Sequence, residues 1–344
     1  MSLTVVASPR FAEHQTPPGH PESSARAGVM DAVADAWRGS GGEVVAPRVA
    51  TAEQLARVHD VEYLQTIAAT AGRAVAFDPD TYTSPATAEI ALLAAGASLD
   101  AVERVMGGTH HSAFALVRPP GHHAERARAM GFCFYNNVAI AAAHARTLGA
   151  ARVAIVDYDV HHGNGTQHIF EDDPSVLYVS THEYPEYPGT GAADEIGRGR
   201  GAGFTVNLPL EAGGVDDDYR VMFAEVVLPV LRQFRPDVVL VSAGFDAHDR
   251  DPLAGQRLTT GAFTAMTAEL RRVAVECCEG RIAMITEGGY DLQALRECLT
   301  AAIGVLAADP AQAAKWPPAS LVAPSRGRAS AQAAMAALSP YWRF

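Results

Sequence analysis

The segment AIVDYDVHHGNG (residues 154–165) releases two aspartates, two histidines and two glycines within nine residues of an apolar run. Alternate side chains leave an extended strand on one face, so Asp157, Asp159 and His161 share a side. Asp159 and His161 can then offer oxygen and nitrogen to one ion. Asp246, in GFDAHDRDP (244–252), can add a third ligand from a neighbouring strand. Two carboxylates, one imidazole and an open position describe a catalytic zinc site rather than a closed structural one. The same donors accept Fe(II), Co(II) or Mn(II), so the metal is not fixed by the sequence. The bland alternative is that these side chains cap turns or solvate a loop, the ordinary fate of a bare Asp-x-His.

Two adjacent histidines, His122 and His123, follow a Pro-Pro-Gly that stiffens the backbone. Imidazole titrates near pH 6.5, so small environmental shifts poise it as base or acid. A carboxylate such as Asp157 would raise one member, and an amide such as Asn164 would orient the other, separating their roles. Tyr290 follows two glycines in EGGYDL (287–292) and can donate to a developing oxyanion, worth about 3 kcal/mol in comparable sites. Phe132 and Tyr187, in Gly-flanked loops, suit the walls of a narrow apolar channel, although aromatics more often pack a core. A Cys133 thiol activated by His123 is legitimate chemistry, but it leaves Asp159, His161 and Asp246 unexplained. His162 is expected to be structural.

The elements that must position these groups alternate in type. Apolar β-branched runs at 112–117, 152–157, 175–180, 237–243 and 281–286 read as strands. Between them, Ala/Leu-rich stretches at 24–39, 85–106, 136–149, 217–234 and 259–278 read as helices. Continuous apolar strands alternating with helices predict a parallel sheet covered on both faces. Every polar cluster then falls just past the carboxyl end of a strand, the edge where open α/β sheets bind ligands. The Gly/Pro-rich stretch 184–203 reads as a long loop that shapes a pocket rim or a subunit contact. The last stretch, SAQAAMAALSPYWRF (330–344), reads as a terminal helix docked on the core. One domain spanning 1–344, with 320–344 as a tail, is the expected organisation.

Composition narrows the class. The chain has 344 residues, of which 48% are hydrophobic and 19% charged, with a net charge of −12. That suits a soluble protein with a large core and argues against nucleic-acid or anionic-membrane partners. No stretch approaches the roughly 18 apolar residues of a membrane span, and the opening MSLTVVASPRF does not read as a secretion signal. Cys133, Cys277, Cys278 and Cys298 form no C-x-x-C pair, so a reduced, cytoplasmic setting is expected.

The motifs RPPGHHAERARAMGFCFYNNVAIAA, VAIVDYDVHHGNGTQHIF, YPGTG, SAGFDAHDRDP and EGGYDL together resemble the arginase–deacetylase superfamily. Within it, the similarity is to class II-like histone deacetylases and bacterial acetylpolyamine amidohydrolases. It runs from GHPESSAR (19–26) to Tyr290 and beyond, in family order. The resemblance implies a single α/β domain around a mostly parallel sheet of about eight strands. It implies Zn2+, with Fe2+ or Co2+ as substitutes, held by Asp159, His161 and Asp246. His123 would be general base and then acid, His122 an electrostatic partner of Asp157, Asn164 the amide beside His123, and Tyr290 the catalytic tyrosine. Gly131, Phe132 and Tyr187 would line the channel, with Tyr187 replacing a more usual phenylalanine, and Arg26 would be the family's buried arginine. A structural K+ would take Asp157, Asp159, His161, Ser180 and Thr181, with main-chain oxygens from Asp159, His161 and Thr181.

The implied activity is hydrolysis of N-acetyl amides. The substrate is acetyl-lysine in a peptide or protein, or an acetylated small amine such as a polyamine. Polyamine-selective relatives carry glutamate where this chain has Leu253, and bacterial polyamine enzymes carry a longer insertion than DPDTYTSPAT (78–87). Both departures tilt the expectation toward lysine deacetylation. A non-catalytic acyl-amine binding protein is the remaining alternative, and a homo-oligomer is compatible with all of these readings.

Overall fold

Short apolar runs commit to strands where both faces are buried, and here such runs, with the half-exposed edge strand EVV, make one eight-stranded parallel sheet. The computed structural model describes residues 2–108, 111–309, 314–317 and 325–344. The strands are β1 (Leu3–Val6), β2 (Glu43–Val45), β3 (Ser112–Ala115), β4 (Val153–Asp157), β5 (Val176–Glu183), β6 (Thr205–Leu210), β7 (Val238–Ala243) and β8 (Ile282–Thr286). Their spatial order is β2-β1-β3-β8-β7-β4-β5-β6, and every pairing is parallel.

The longer helices are α1 (Ser24–Gly39), α4 (Thr87–Met106), α5 (Asn137–Thr147), α9 (Thr260–Cys278) and α10 (Leu292–Ala307). Shorter ones are α2 (Ala52–Leu55), α3 (Val61–Ala68), α6 (Asn164–Phe170), α7 (Asp216–Met222) and α8 (Leu228–Phe234), the last two joined by a π-helical turn at Phe223–Val227. The chain closes with α11 (Ser325–Leu338). Right-handed crossovers that move in opposite directions along a sheet cover opposite faces. Accordingly α4 and α5, which carry the chain toward β6, pack one face through Leu93, Val102 and Val138. Helices α1, α7, α8 and α9, which carry it the other way, pack the opposite face through Val33, Met222, Leu231 and Met266.

All five strands expected from the sequence are present, and three more join them. β1 and β2 are four and three residues long, too short to register as periodic runs. β6, TVNLPL, hides behind Asn207 and Pro209, which an edge strand tolerates because its outer side needs no N–H donor. Helix α10 is also an addition. β5 runs to Glu183 rather than ending near Ser180, because it pairs with β6 as far as Glu183↔Leu210. The terminal helix starts earlier than expected and stops at Leu338, before Ser339-Pro340. The remaining aromatic end docks through Trp342, whose indole donates to the Gly203 carbonyl at 2.6 Å. Residues 320–324 of the expected tail lie outside the described residues.

Register decides where the site can form. Asp157 is level with Ser180 on β5 and with Ser242 on β7, and Ala243 is level with Thr286 on β8. The loops after β4, β5, β7 and β8 therefore emerge at one height. β4 leads outward to β5, whereas its neighbour β7 leads the opposite way to β8. This reversal opens a crevice between β4 and β7, the position where such sheets bind ligands.

Candidate active site

The crevice is filled from both sides. After β4 the chain bends so that Tyr158 and Val160 enter the core while Asp157, Asp159 and His161 turn away from it. Asp246 arrives from the loop after β7, and its Oδ1 accepts from Val160 N at 2.9 Å. His161 Nδ1 then lies 3.1 Å from Asp159 Oδ1 and 3.2 Å from Asp246 Oδ2. One donor atom from each of these three residues falls within 4.8 Å of the others.

The surroundings are cut to fit those carboxylates. A Cβ on Gly244 would stand 2.0 Å from Asp159 Oδ2, and one on Gly288 would stand 1.9 Å from Asp246 Oδ2. Only glycine leaves room. Gly288 N donates to Asp159 Oδ2 at 2.8 Å, and His161 N to Asp159 Oδ1 at 2.9 Å. A hard–borderline O,N,O donor set, oriented by backbone amides, fits a divalent cation such as zinc. Burial opposes charge on His161, but hydrogen bonds to Asp159 and Asp246 outweigh it and raise its pKa well above 6.5. A cation would replace that proton between the carboxylates.

The tandem histidines stand in front, their ring centroids 4.0 Å apart. His122 Nδ1 is 3.0 Å from Asp157 Oδ2, which also accepts from Tyr178 Oη at 3.1 Å. His123 Nδ1 is 2.8 Å from Asn164 Oδ1. Burial lowers both proton affinities, but around His122 the charges of Asp159 and Asp157 prevail and its pKa rises to about 10. Around His123 the Asp159 charge and the Asn164 hydrogen bond are outweighed; burial and the charges of His122 and His161 hold it well below 6.5. Two adjacent imidazoles thus have separated proton affinities.

Above them lies a cavity of about 210 Å³, lined by Asp80, Pro120, His122, His123, Gly131, Phe132, His161, Tyr187, Leu253 and Tyr290. Gly131 (φ +57°) lets the wall touch His123, since a Cβ there would lie 2.4 Å from His123 Cδ2. Phe132 also has φ +67° and faces Tyr290 edge-on, with centroids 5.9 Å apart. Tyr187 stands edge-on to His123 at 5.1 Å. Burial holds the Tyr290 phenol well above pH 10, so it stays a donor, and the Arg26 guanidinium sits 5.0 Å from its ring. Arg26 itself is fully buried and donates to the Gly289 carbonyl at 2.8 Å.

The other expected residues have simpler settings. Ser180 Oγ is 2.9 Å from His182 Nδ1, and Thr181 Oγ1 is buried without a hydrogen-bond partner among the described residues. Cys133 Sγ donates to the Gly131 carbonyl, and burial pushes its thiol pKa well above 9, so it is no thiolate nucleophile. His162 packs behind the site, with its two nitrogens at Thr190 Oγ1 (2.8 Å) and Gln167 Oε1 (2.9 Å).

Three acidic residues at the site were not singled out from the sequence. Asp80 lines the entrance, with its pKa raised to about 6 by burial and the neighbouring Asp78. Asp251 accepts from Tyr290 N at 2.7 Å and fixes that turn. Glu287 lies beneath the histidine loop, where Oε2 accepts from Gly121 N (2.6 Å) and His122 N (3.1 Å), and Oε1 from Ser242 Oγ (2.9 Å). Burial raises its pKa to about 7. Its signal was an acid at the end of an apolar strand, directly before Gly-Gly.

A model of the histone deacetylase domain matches residues 20–306. The chain is 42% identical over 296 residues to "Histone deacetylase 14, chloroplastic" of Arabidopsis thaliana, a match covering 80% of this chain and 70% of that one. It is 42% identical over 311 residues to the human "Polyamine deacetylase HDAC10", covering 86% of this chain and 45% of that protein. It is 43% identical over 247 residues to a "Histone deacetylase-like amidohydrolase" of Pseudomonas aeruginosa, covering 70% and 64%. The crystal structure of the HDA15 HD domain superposes with a TM-score of 0.89 at 38% identity, covering 99% of this chain and 96% of that one. Among the described residues no helix is long and apolar enough to cross a membrane.

Proposed function

The chain belongs to the histone deacetylase family of hydrolases, and from that premise we propose that it hydrolyses N-acetyl amides, with acetyl-lysine in a peptide as the preferred substrate. The observation that carries this reading is the pair of differently poised histidines facing the Asp159–His161–Asp246 group across one narrow pocket.

Asp159, His161 and Asp246 would hold Zn2+, with Fe2+ or Co2+ as substitutes. When bound, that ion lowers the pKa of water from 15.7 to about 7 and polarises a carbonyl. His123, neutral at pH 7, takes the proton from the attacking water at Nε2 and returns it to the departing amine nitrogen. His122, protonated against Asp157, supplies fixed positive charge beside the developing oxyanion, and Tyr290 donates its phenolic hydrogen to that oxygen. Phe132 and Tyr187 pack the aliphatic arm and exclude water. The products are acetate and a free amine. The structural K+ would sit by Asp157 and Ser180, with main-chain oxygens of Asp159, His161 and Thr181. A cytoplasmic protein without nucleic-acid or membrane partners fits the acidic chain.

A second reading follows from the 42% identity to a polyamine deacetylase: the substrate is an acetylated small amine. The half-buried apolar Leu253 offers no anion to a second cationic amine on its side of the entrance, opposite in character to Asp80 on the same rim, and this departure favours the peptide. Specificity constants for an acetyl-lysine peptide and for acetylputrescine decide it. A higher value for the peptide is expected, and equal or reversed values refute the preference.

A further inference from the structure

The two ends of an asparagine amide have nearly the same shape, so a neighbour must decide which end of Asn164 faces His123. Asn164 Nδ2 lies 2.6 Å from Glu125 Oε1. A carboxylate only accepts, so the nitrogen end must point toward Glu125 and the oxygen end toward the imidazole. An oxygen facing Nδ1 in turn requires the ring proton to reside there. The Nε2 lone pair is then left facing the pocket. Glu125 thus dictates the tautomer of His123 through two hydrogen bonds, without touching it.

Glu125 is itself held for this task. The same Oε1 lies 2.8 Å from Nδ1 of His168 on α6. Its backbone N donates to the Arg128 carbonyl at 2.9 Å, and its carbonyl lies 2.9 Å from His59 Nδ1. Next door, Arg126 Nη2 donates to the Ile169 carbonyl at 2.6 Å, tying this loop to the end of α6. The contact is close enough that a Cβ on Gly165 would stand 2.3 Å from the Ala124 carbonyl oxygen. Loop and helix meet with no slack, and the amide between them has one orientation.

We propose that Glu125 is a positioning residue for proton transfer, setting the orientation of Asn164 and hence the tautomer of His123. This rests on the role of His123 given above. Glu125→Leu removes the acceptor while keeping bulk, whereas Glu125→Gln keeps an oxygen that can face Asn164. With an acetyl-lysine peptide, Glu125→Leu is expected to lower kcat by about tenfold or more, within the roughly 10²–10⁴ that acid–base catalysis contributes. KM and bound metal should be unchanged, and Glu125→Gln should recover most of the rate. Wild-type kcat in Glu125→Leu, or a fall in metal content matching the fall in rate, overturns the proposal. Imidazole 15N shifts of the metal-loaded wild type decide the question even where the leucine variant fails to fold. A protonated Nδ1 on His123 supports the proposal, and a protonated Nε2 ends it. That readout needs no turnover, so an inactive wild type would sink the deacetylase reading and leave this one to be judged separately.

Discussion

At the floor of the pocket, Asp157, Asp159 and Asp246 leave the ends of β4 and β7 fully buried, whereas at the rim Asp80, Phe132, Tyr187 and Leu253 hang from loops, half-buried. On the floor both oxygens of Asp157 and Asp159 are engaged, and the neighbouring glycines admit no other shape. The rim is fastened more sparsely: Phe132 N reaches Thr81 Oγ1 at 3.1 Å, and the Asp78–Asp80 turn is held largely by its own side chains. The difference separates two jobs. On the proposed reading, strand ends hold the reacting groups and loops choose what enters.

The comparison can be broken most severely at the floor. Asp159→Ala or His161→Ala should remove bound metal and lower kcat/KM on the order of 10⁴-fold, because the polarising centre goes with it. Full activity in a variant shown by elemental analysis to hold no metal would end the zinc reading. Tyr290→Phe keeps the packing and deletes one donor, so kcat should fall about 10²–10³-fold with metal content intact. Loss of metal in step with rate would instead make Tyr290 structural. At the rim, Leu253→Glu should shift the ratio of specificity constants toward acetylputrescine by only about tenfold, the scale of one partly solvated contact. A rim substitution that abolished turnover on both substrates would erase the distinction between floor and rim.

The smallest effect concerns stability. The His122 pKa is raised to about 10 in the folded, metal-free protein, above its ordinary value near 6.5. Its contribution to stability is therefore complete below about pH 6.5 and declines as pH rises through about 10. Urea midpoints of metal-free protein should drop over that window, and His122→Gln should flatten the drop. A variant with an unchanged slope would show that His122 gains no proton on folding.

The same divide governs what the sequence makes legible. Strands β4, β7 and β8 are apolar but for Asp157, Ser242 and Thr286 at their carboxyl ends, so polar residues just beyond them stand out, and Asp159, His161, Asp246 and Tyr290 are legible by position. Short β1 and β2, and β6 with its Asn207 and Pro209, carry no such contrast, because pairing rather than pattern makes them strands. Asp80 is hidden for the reason that rims are hard to read: a loop's place over a pocket comes from distant packing. Glu287 and Glu125 lie inside the sequence motifs, but only hydrogen-bond partners reveal that one props a backbone and the other an amide.

The strand order has a consequence for biosynthesis. The ribosome delivers β1–β3 first and β4–β6 next, yet these two blocks never touch in the finished sheet; β7 and β8, made last, lie between them. Until β7 has emerged β4 presents an unpaired, mostly apolar edge, and until residue 286 has emerged β3 does too, the kind of template that recruits other chains. The final two strands act as a keystone. Chains truncated before Ile282 should accumulate as aggregates rather than as a smaller folded core, and the wild-type nascent chain should depend most on chaperones just before β8, ending at Thr286, has emerged.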